Sequence, residues 1–239
     1  MHRSYHAWHS PALGRTMELL VFGHGGAPVL VFPTSRGRFY EFEDRDMVGS
    51  LAYQVEQGLL QLICVDSIDE ESWYNYGGDA GARLFRHDQY EHYLLSEVLP
   101  FVRNANPTNY LIVTGCSFGA SHAINFAFRH PEVVNRVIGM SGLYDLRRFF
   151  GGSTHEAVYF HNPVEYMANL SDETAIAHLR RMDIILAIGQ EDAAAWSNDR
   201  LSQVLWGKNI WHALRFWSGW SHDWPFWQQM LGLYVSGHD

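Results

Sequence analysis

The sequence predicts an α/β architecture: a mostly parallel central sheet in three layers with helices on both faces, and an N-terminal antiparallel hairpin. Three observations predict it. Apolar runs of strand length alternate with stretches of helical period along most of the chain. A serine between two close glycines stands where one such run gives way to the next helical pattern. Polar residues able to act together fall in the loops that follow successive strands, where parallel sheets gather their chemistry.

Taken in order, Thr16 to Gly23 and Val29 to Phe32 read as two strands of a hairpin joined by His24-Gly-Gly-Ala-Pro28. Asp44 is expected to cap a helix running to about Gly58, and Leu60 to Asp66 is apolar enough for a strand covered on both faces. From Arg86 to Arg103, Tyr90, Leu94, Val98, Phe101 and Val102 recur at near-helical spacing. Tyr110 to Thr114 then reads as a strand, Phe118 to Arg129 as a helix stopped before Pro131, and Arg136 to Met140 as a strand. Asp183 to Gly189 and His212 to Trp217 complete the series. The stretch from Phe149 to Leu179, with Gly151-Gly152 and Asn162-Pro163, breaks the alternation and predicts loops and short helices. The chain is therefore expected to be one domain over residues 1–239 with a small cap insertion at 149–179.

Composition narrows the function. Among 239 residues, 17 Lys+Arg stand against 26 Asp+Glu, a net charge of −9 with no basic run, which argues against nucleic-acid binding. A 47% hydrophobic and 15% aromatic content supports a real core. Cys64 and Cys116 lie in apolar stretches and are expected as reduced, buried thiols. The first residues lack the apolar centre of a secretory signal, and no stretch approaches the roughly 20 apolar residues of a membrane span. A cytoplasmic protein without membrane attachment is the expectation. His2, His6 and His9 make only a weak metal motif, since no cysteine or carboxylate cluster accompanies them.

The sharpest chemical signal is Gly115-Cys116-Ser117-Phe118-Gly119, a G-x-S-x-G between a strand and a helix. A serine on so tight a turn is lifted above the sheet edge, and the two glycines allow the close backbone approach. The bland alternative, an ordinary turn with an exposed serine, does not account for the flanking elements. Cys116 adjoins the serine, but the central position of the motif belongs to Ser117. A hydroxyl needs a base and an orienting acid. Among 14 histidines, His222 follows the last strand in a glycine-containing loop ahead of Pro225, whereas His24, His87, His122 and His161 read as ordinary structural residues. Asp192 follows the strand Asp183 to Gly189; Glu191 and Asp145 are its rivals. The order Ser117, Asp192, His222 fits the α/β-hydrolases and neither chymotrypsin-like nor subtilisin-like enzymes. The oxyanion would be received by the Phe118 amide and by one from the loop Pro33 to Gly37. Ser35 is the choice there by position, Pro33 having no N–H.

These residues, with Asp66 to Asn75 and Tyr90 to Pro100, resemble the putative-esterase family of α/β-hydrolases, which includes esterase D (S-formylglutathione hydrolase), feruloyl esterases and the antigen 85 mycolyltransferases. The resemblance runs from about Leu30 to Trp227. It implies a serine esterase acting on a small-molecule carboxylic ester or thioester through an acyl-enzyme, with no metal or organic cofactor. Two rivals stay open: an acyltransferase using the same triad, and a non-catalytic binding protein of this fold. Six of nine tryptophans fall between Trp206 and Trp227. They are expected to fill the core or a homo-oligomer contact, with Trp220 and Trp224 flanking His222 as candidates for a substrate wall.

Overall fold

A computed structural model describes residues 1–237. In chain order its strands are β1 Arg3–Ser10, β2 Arg15–Phe22, β3 Ala27–Phe32, β4 Leu60–Val65, β5 Ile112–Cys116, β6 Arg136–Met140, β7 Asp183–Gly189 and β8 Ala213–Trp217. Its helices are α1 Glu41–Asp44, α2 Ala52–Glu56, α3 Ala80–Tyr93, α4 Leu99–Ala105, α5 Phe118–Arg129, α6 Glu156–Phe160, α7 Pro163–Asn169, α8 Glu173–Leu179, α9 Ala195–Gly207 and α10 Trp224–Tyr234. The strands form one eight-stranded sheet in the order β1-β2-β4-β3-β5-β6-β7-β8. Only the β1–β2 and β2–β4 pairings are antiparallel.

Side-chain alternation along each strand divides the core into two layers. Leu30 and Phe32 of β3 face a cluster with Tyr90 and Tyr93 of α3, Ile124 and Phe126 of α5, and Leu201 and Leu205 of α9. Val29 and Val31 face the opposite cluster, with Phe42 of α1, Val55 of α2, and Trp227 and Met230 of α10. Helices thus cover both faces, and β3 to β6 read as nearly continuous apolar runs for that reason.

The hairpin is not where the glycines suggested. β2 and β3 are not neighbours, because β4 pairs with both and lies between them. The antiparallel hairpin is β1–β2, and the expectation of a β2–β3 hairpin is corrected. The Gly-rich segment serves a crossover: a Cβ at Gly26 would meet Leu59 C at 2.2 Å, and one at Gly23 would meet Leu60 O at 2.8 Å. Those glycines let the chain lie against the start of β4.

The helix expected from Asp44 to Gly58 is also interrupted. Asp44 ends α1, Asp46 has φ 54°, and a 3₁₀ turn over Gly49–Leu51 precedes α2. The Asp46 carboxylate occupies the space where a Cβ of Gly49 would lie. The helix predicted over Arg86 to Arg103 begins earlier, capped by Asp79, whose side chain accepts the Ala82 N–H at 3.0 Å. It loosens into a π-turn at Leu94–Val98 just before Pro100, which has no N–H to continue the ladder. The stretch after Phe149 holds α6, α7 and α8, with α6 packed on α3 and α7 on α9. No helix among the described residues is long and apolar enough to cross a membrane.

Candidate active site

β5 ends in the centre of the sheet, and the chain turns directly into α5. At the turn Ser117 adopts φ 54° and ψ −121°, a conformation disfavoured for any residue with a side chain. Two close approaches impose it. A Cβ at Gly115 would meet Gly119 C at 2.3 Å, and one at Gly119 would meet the Pro33 carbonyl oxygen at 2.5 Å. The Ser117 amide donates to Met140 O at 2.8 Å, tying the turn to the end of β6.

The loops after β7 and β8 bring the other two residues to this serine. Asp192 is buried; its Oδ1 accepts the Ala194 amide at 2.8 Å and its Oδ2 accepts His222 Nδ1–H at 2.6 Å. A carboxylate on Nδ1 fixes the tautomer, so Nε2 carries the lone pair. Ser117 Oγ lies 3.1 Å from that Nε2. Gly189 is needed for this convergence, since a Cβ there would meet Trp220 O at 1.9 Å. The His222 loop turns through Gly219 and Ser221, both with positive φ, and Ser221 Oγ donates to Ser218 O at 2.8 Å.

The two rival acids are placed elsewhere. Asp145 accepts from Arg200 Nη1 at 2.5 Å and from Asn162 Nδ2 at 3.2 Å. Glu191 is exposed to solvent. Cys116 points into the sheet layer, and burial pushes its thiol well above the usual range, so it stays protonated.

Ser117, Asp192 and His222 line a cleft of about 260 Å³ together with Ser35, Tyr74, Phe118, Phe149 and Trp220. The loop after β3 is pinned on both sides of Ser35. Glu41 accepts the Thr34 amide and hydroxyl, both at 2.8 Å, and Asp69 Oδ2 accepts the Arg36 amide at 2.9 Å. Gly37 N–H donates to Thr34 O at 2.8 Å. Among the described residues this leaves the Ser35 amide as the loop's one N–H without an acceptor, and the Phe118 amide is likewise free. Tyr74 Oη donates to Ser35 Oγ at 2.7 Å; burial pushes that phenol up to about 12, so it remains a donor. Glu41 and Asp69 escaped the sequence reading, because nothing local marks a carboxylate that holds a loop distant in sequence.

Trp220 stacks on the His222 ring with centroids 5.5 Å apart, and Trp227 meets it edge-on at 5.2 Å. Trp224 packs on Trp227 at 4.9 Å, so of the two tryptophans expected as a substrate wall Trp220 lines the cleft. Of the segment expected as a cap, Phe149 reaches the cleft. His2, His6 and His9 form no metal-ligating group among the described residues.

Residues 10–232 match the model of the family described as Putative esterase. A search of curated proteins finds no match. Among solved structures, a ferulic acid esterase superposes with a TM-score of 0.78 at 18% identity, over 98% of this chain and 96% of that one. An S-formylglutathione hydrolase from Staphylococcus aureus gives 0.75 at 16% identity, over 99% and 98%. One from Agrobacterium tumefaciens gives 0.73 at 12% identity, over 98% and 93%. At these identities the likeness establishes a shared α/β-hydrolase fold.

Proposed function

The chain belongs to the Putative esterase family, a family of carboxylic ester hydrolases, and from that premise we propose that it hydrolyses a small carboxylic ester or thioester through a Ser117-His222-Asp192 triad and an acyl-enzyme. The observation that carries this reading is His222 itself, bonded to Asp192 through Nδ1 and lying 3.1 Å from Ser117 Oγ through Nε2.

In the proposed sequence Ser117 Oγ attacks the carbonyl carbon as its proton passes to His222 Nε2. Asp192 holds the imidazole tautomer and stabilises the cation that forms. The carbonyl oxygen gains its charge beside the Phe118 and Ser35 amides, which have no acceptor among the described residues and line the same cleft, close to the N-terminal end of α5, which favours an anion. His222 then gives its proton to the departing alcohol or thiol. A water, deprotonated by the same Nε2, attacks the acyl carbon, and Ser117 is regenerated. No metal enters any step.

The test is fluorophosphonate labelling read by intact mass and peptide mapping, beside hydrolysis of a short p-nitrophenyl ester. One adduct on Ser117 with turnover is expected. Ser117→Ala should lose the adduct and about 10³-fold or more in turnover while folding normally. Turnover near the parent level in Ser117→Ala would refute the assignment.

A further inference from the structure

Behind the cleft wall, α3 brings His87 and Glu91 together one turn apart, and the α6–α7 junction adds His161. All three side chains are buried, with exposures of 3%, 5% and 1%. The carboxylate of Glu91 is half used. Its Oε2 accepts from Arg129 Nε at 2.9 Å and His130 Nε2 at 3.1 Å, while Oε1 has no hydrogen-bond partner among the described residues. That oxygen faces His87 Nε2 at 3.6 Å and His161 Nδ1 at 4.0 Å. His161 is oriented for this position, because Asp88 Oδ1 accepts its Nε2–H at 3.0 Å and leaves the Nδ1 lone pair pointing inward. Asn125 Nδ2, at 3.2 Å, donates the one hydrogen bond that Nδ1 accepts. His87 Nδ1 and Trp73 Nε1, on rings 5.3 Å apart, are also buried without partners among the described residues.

We propose that His87 Nε2, Glu91 Oε1 and His161 Nδ1 form a site for a divalent transition metal of the zinc class. The three donor atoms lie within 4.8 Å of one another. Around zinc, ligand atoms stand about 3.3–3.6 Å apart, so closing the set requires only small side-chain movements and release of the Asn125 bond. Two imidazoles and a carboxylate are a borderline donor set that suits zinc better than calcium or magnesium. The ion would tie the α6–α7 segment to α3, outside the reaction at Ser117.

The test uses the full chain, freed of metal by a chelator and titrated with ZnCl₂ by calorimetry and with CoCl₂ by visible absorption. One equivalent of zinc is expected at a Kd below about 10 µM, with a cobalt spectrum of histidine–carboxylate coordination. At hundredfold excess over Kd the thermal midpoint should rise by roughly 5 °C. His161→Gln should weaken binding at least 100-fold, whereas the triple variant His2→Ala, His6→Ala, His9→Ala should bind as the parent does. The proposal fails if the parent takes up no stoichiometric zinc. It fails equally if binding survives in both His161→Gln and Glu91→Gln, which would assign the metal to surface histidines. Should a variant not fold, the parent's stoichiometry and cobalt spectrum still decide the matter.

Discussion

His222 and His122 are each bonded to a buried aspartate, and they sit on either side of the Ser117 turn. His222 donates Nδ1–H to Asp192 at 2.6 Å and keeps a quarter of its side chain open to the cleft. His122, on α5, donates Nε2–H to Asp69 at 2.8 Å and is 4% exposed, packed against Phe32 and Phe118. The pairs are chemically alike and differ in what lies beyond the imidazole. Past His222 is a strained serine hydroxyl with a cleft above it; past His122 are aromatic rings. A histidine–carboxylate pair therefore becomes a candidate for proton transfer through its surroundings.

Exchanging each histidine for a neutral amide breaks the comparison most severely. His222→Gln is expected to lower ester turnover by about 10⁴-fold with little change in thermal midpoint, because the residue bears on a reaction and hardly on packing. His122→Gln can still donate to Asp69, and turnover should stay within a few-fold of the parent. Its midpoint should drop by a few degrees, the cost of altering a buried, ring-packed side chain. Parallel kinetics and thermal melts of the two variants check both outcomes. Similar activity losses in the two would erase the distinction.

The second aspartate sharpens it. Asp69 Oδ2 accepts the Arg36 amide while its Oδ1 accepts from His122, so the buried pair holds the loop that carries Ser35. Asp69→Asn cannot accept at both oxygens, and the Ser35 amide should shift by a fraction of an ångström. As a positioning change it should cost roughly 10- to 100-fold in kcat with KM nearly constant. Fluorophosphonate should still label Ser117, only more slowly. A loss carried wholly by KM would place Asp69 in substrate binding instead.

How much of this was readable from the residues follows from the distance over which each feature is encoded. The Ser117 turn is written within five residues, and its neighbours β5 and α5 have clean periodicities, so strand, turn and helix were all legible. Asp192 and His222 were legible through the ends of β7 and β8. β1 was not: Arg3–Ser10 alternates exposed with half-buried positions and has no apolar face strong enough to announce a strand without β2 beside it. The insertion of β4 between β2 and β3 is a matter of pairing, which side-chain period does not encode. The Asp69–His122 bond joins residues 53 apart, and Glu91 meets His161 only through the packing of α3 against α6. Local chemistry could be read; contacts made by folding could not.

A third histidine extends the comparison to pH. His212 precedes β8, three per cent exposed, with Nε2 bonded to Ser202 Oγ at 2.7 Å and Nδ1 to Ile210 O at 3.0 Å. Its proton affinity is lowered, chiefly because burial disfavours the charged ring, against a smaller opposing effect of the Ile210 carbonyl. The unfolded chain therefore binds this proton more readily than the folded one. The stability His212 contributes is complete above its unfolded value near 6.5 and is lost as pH falls through the folded value below it. Chemical denaturation between pH 7.5 and 5 should show that decline, and His212→Gln, which cannot titrate, should flatten it by up to about 1.4 kcal/mol per pH unit. Unlike His222→Gln, this variant should leave the turnover rate at pH 7.5 unchanged. An equally steep decline in the variant would assign the acid sensitivity to other groups.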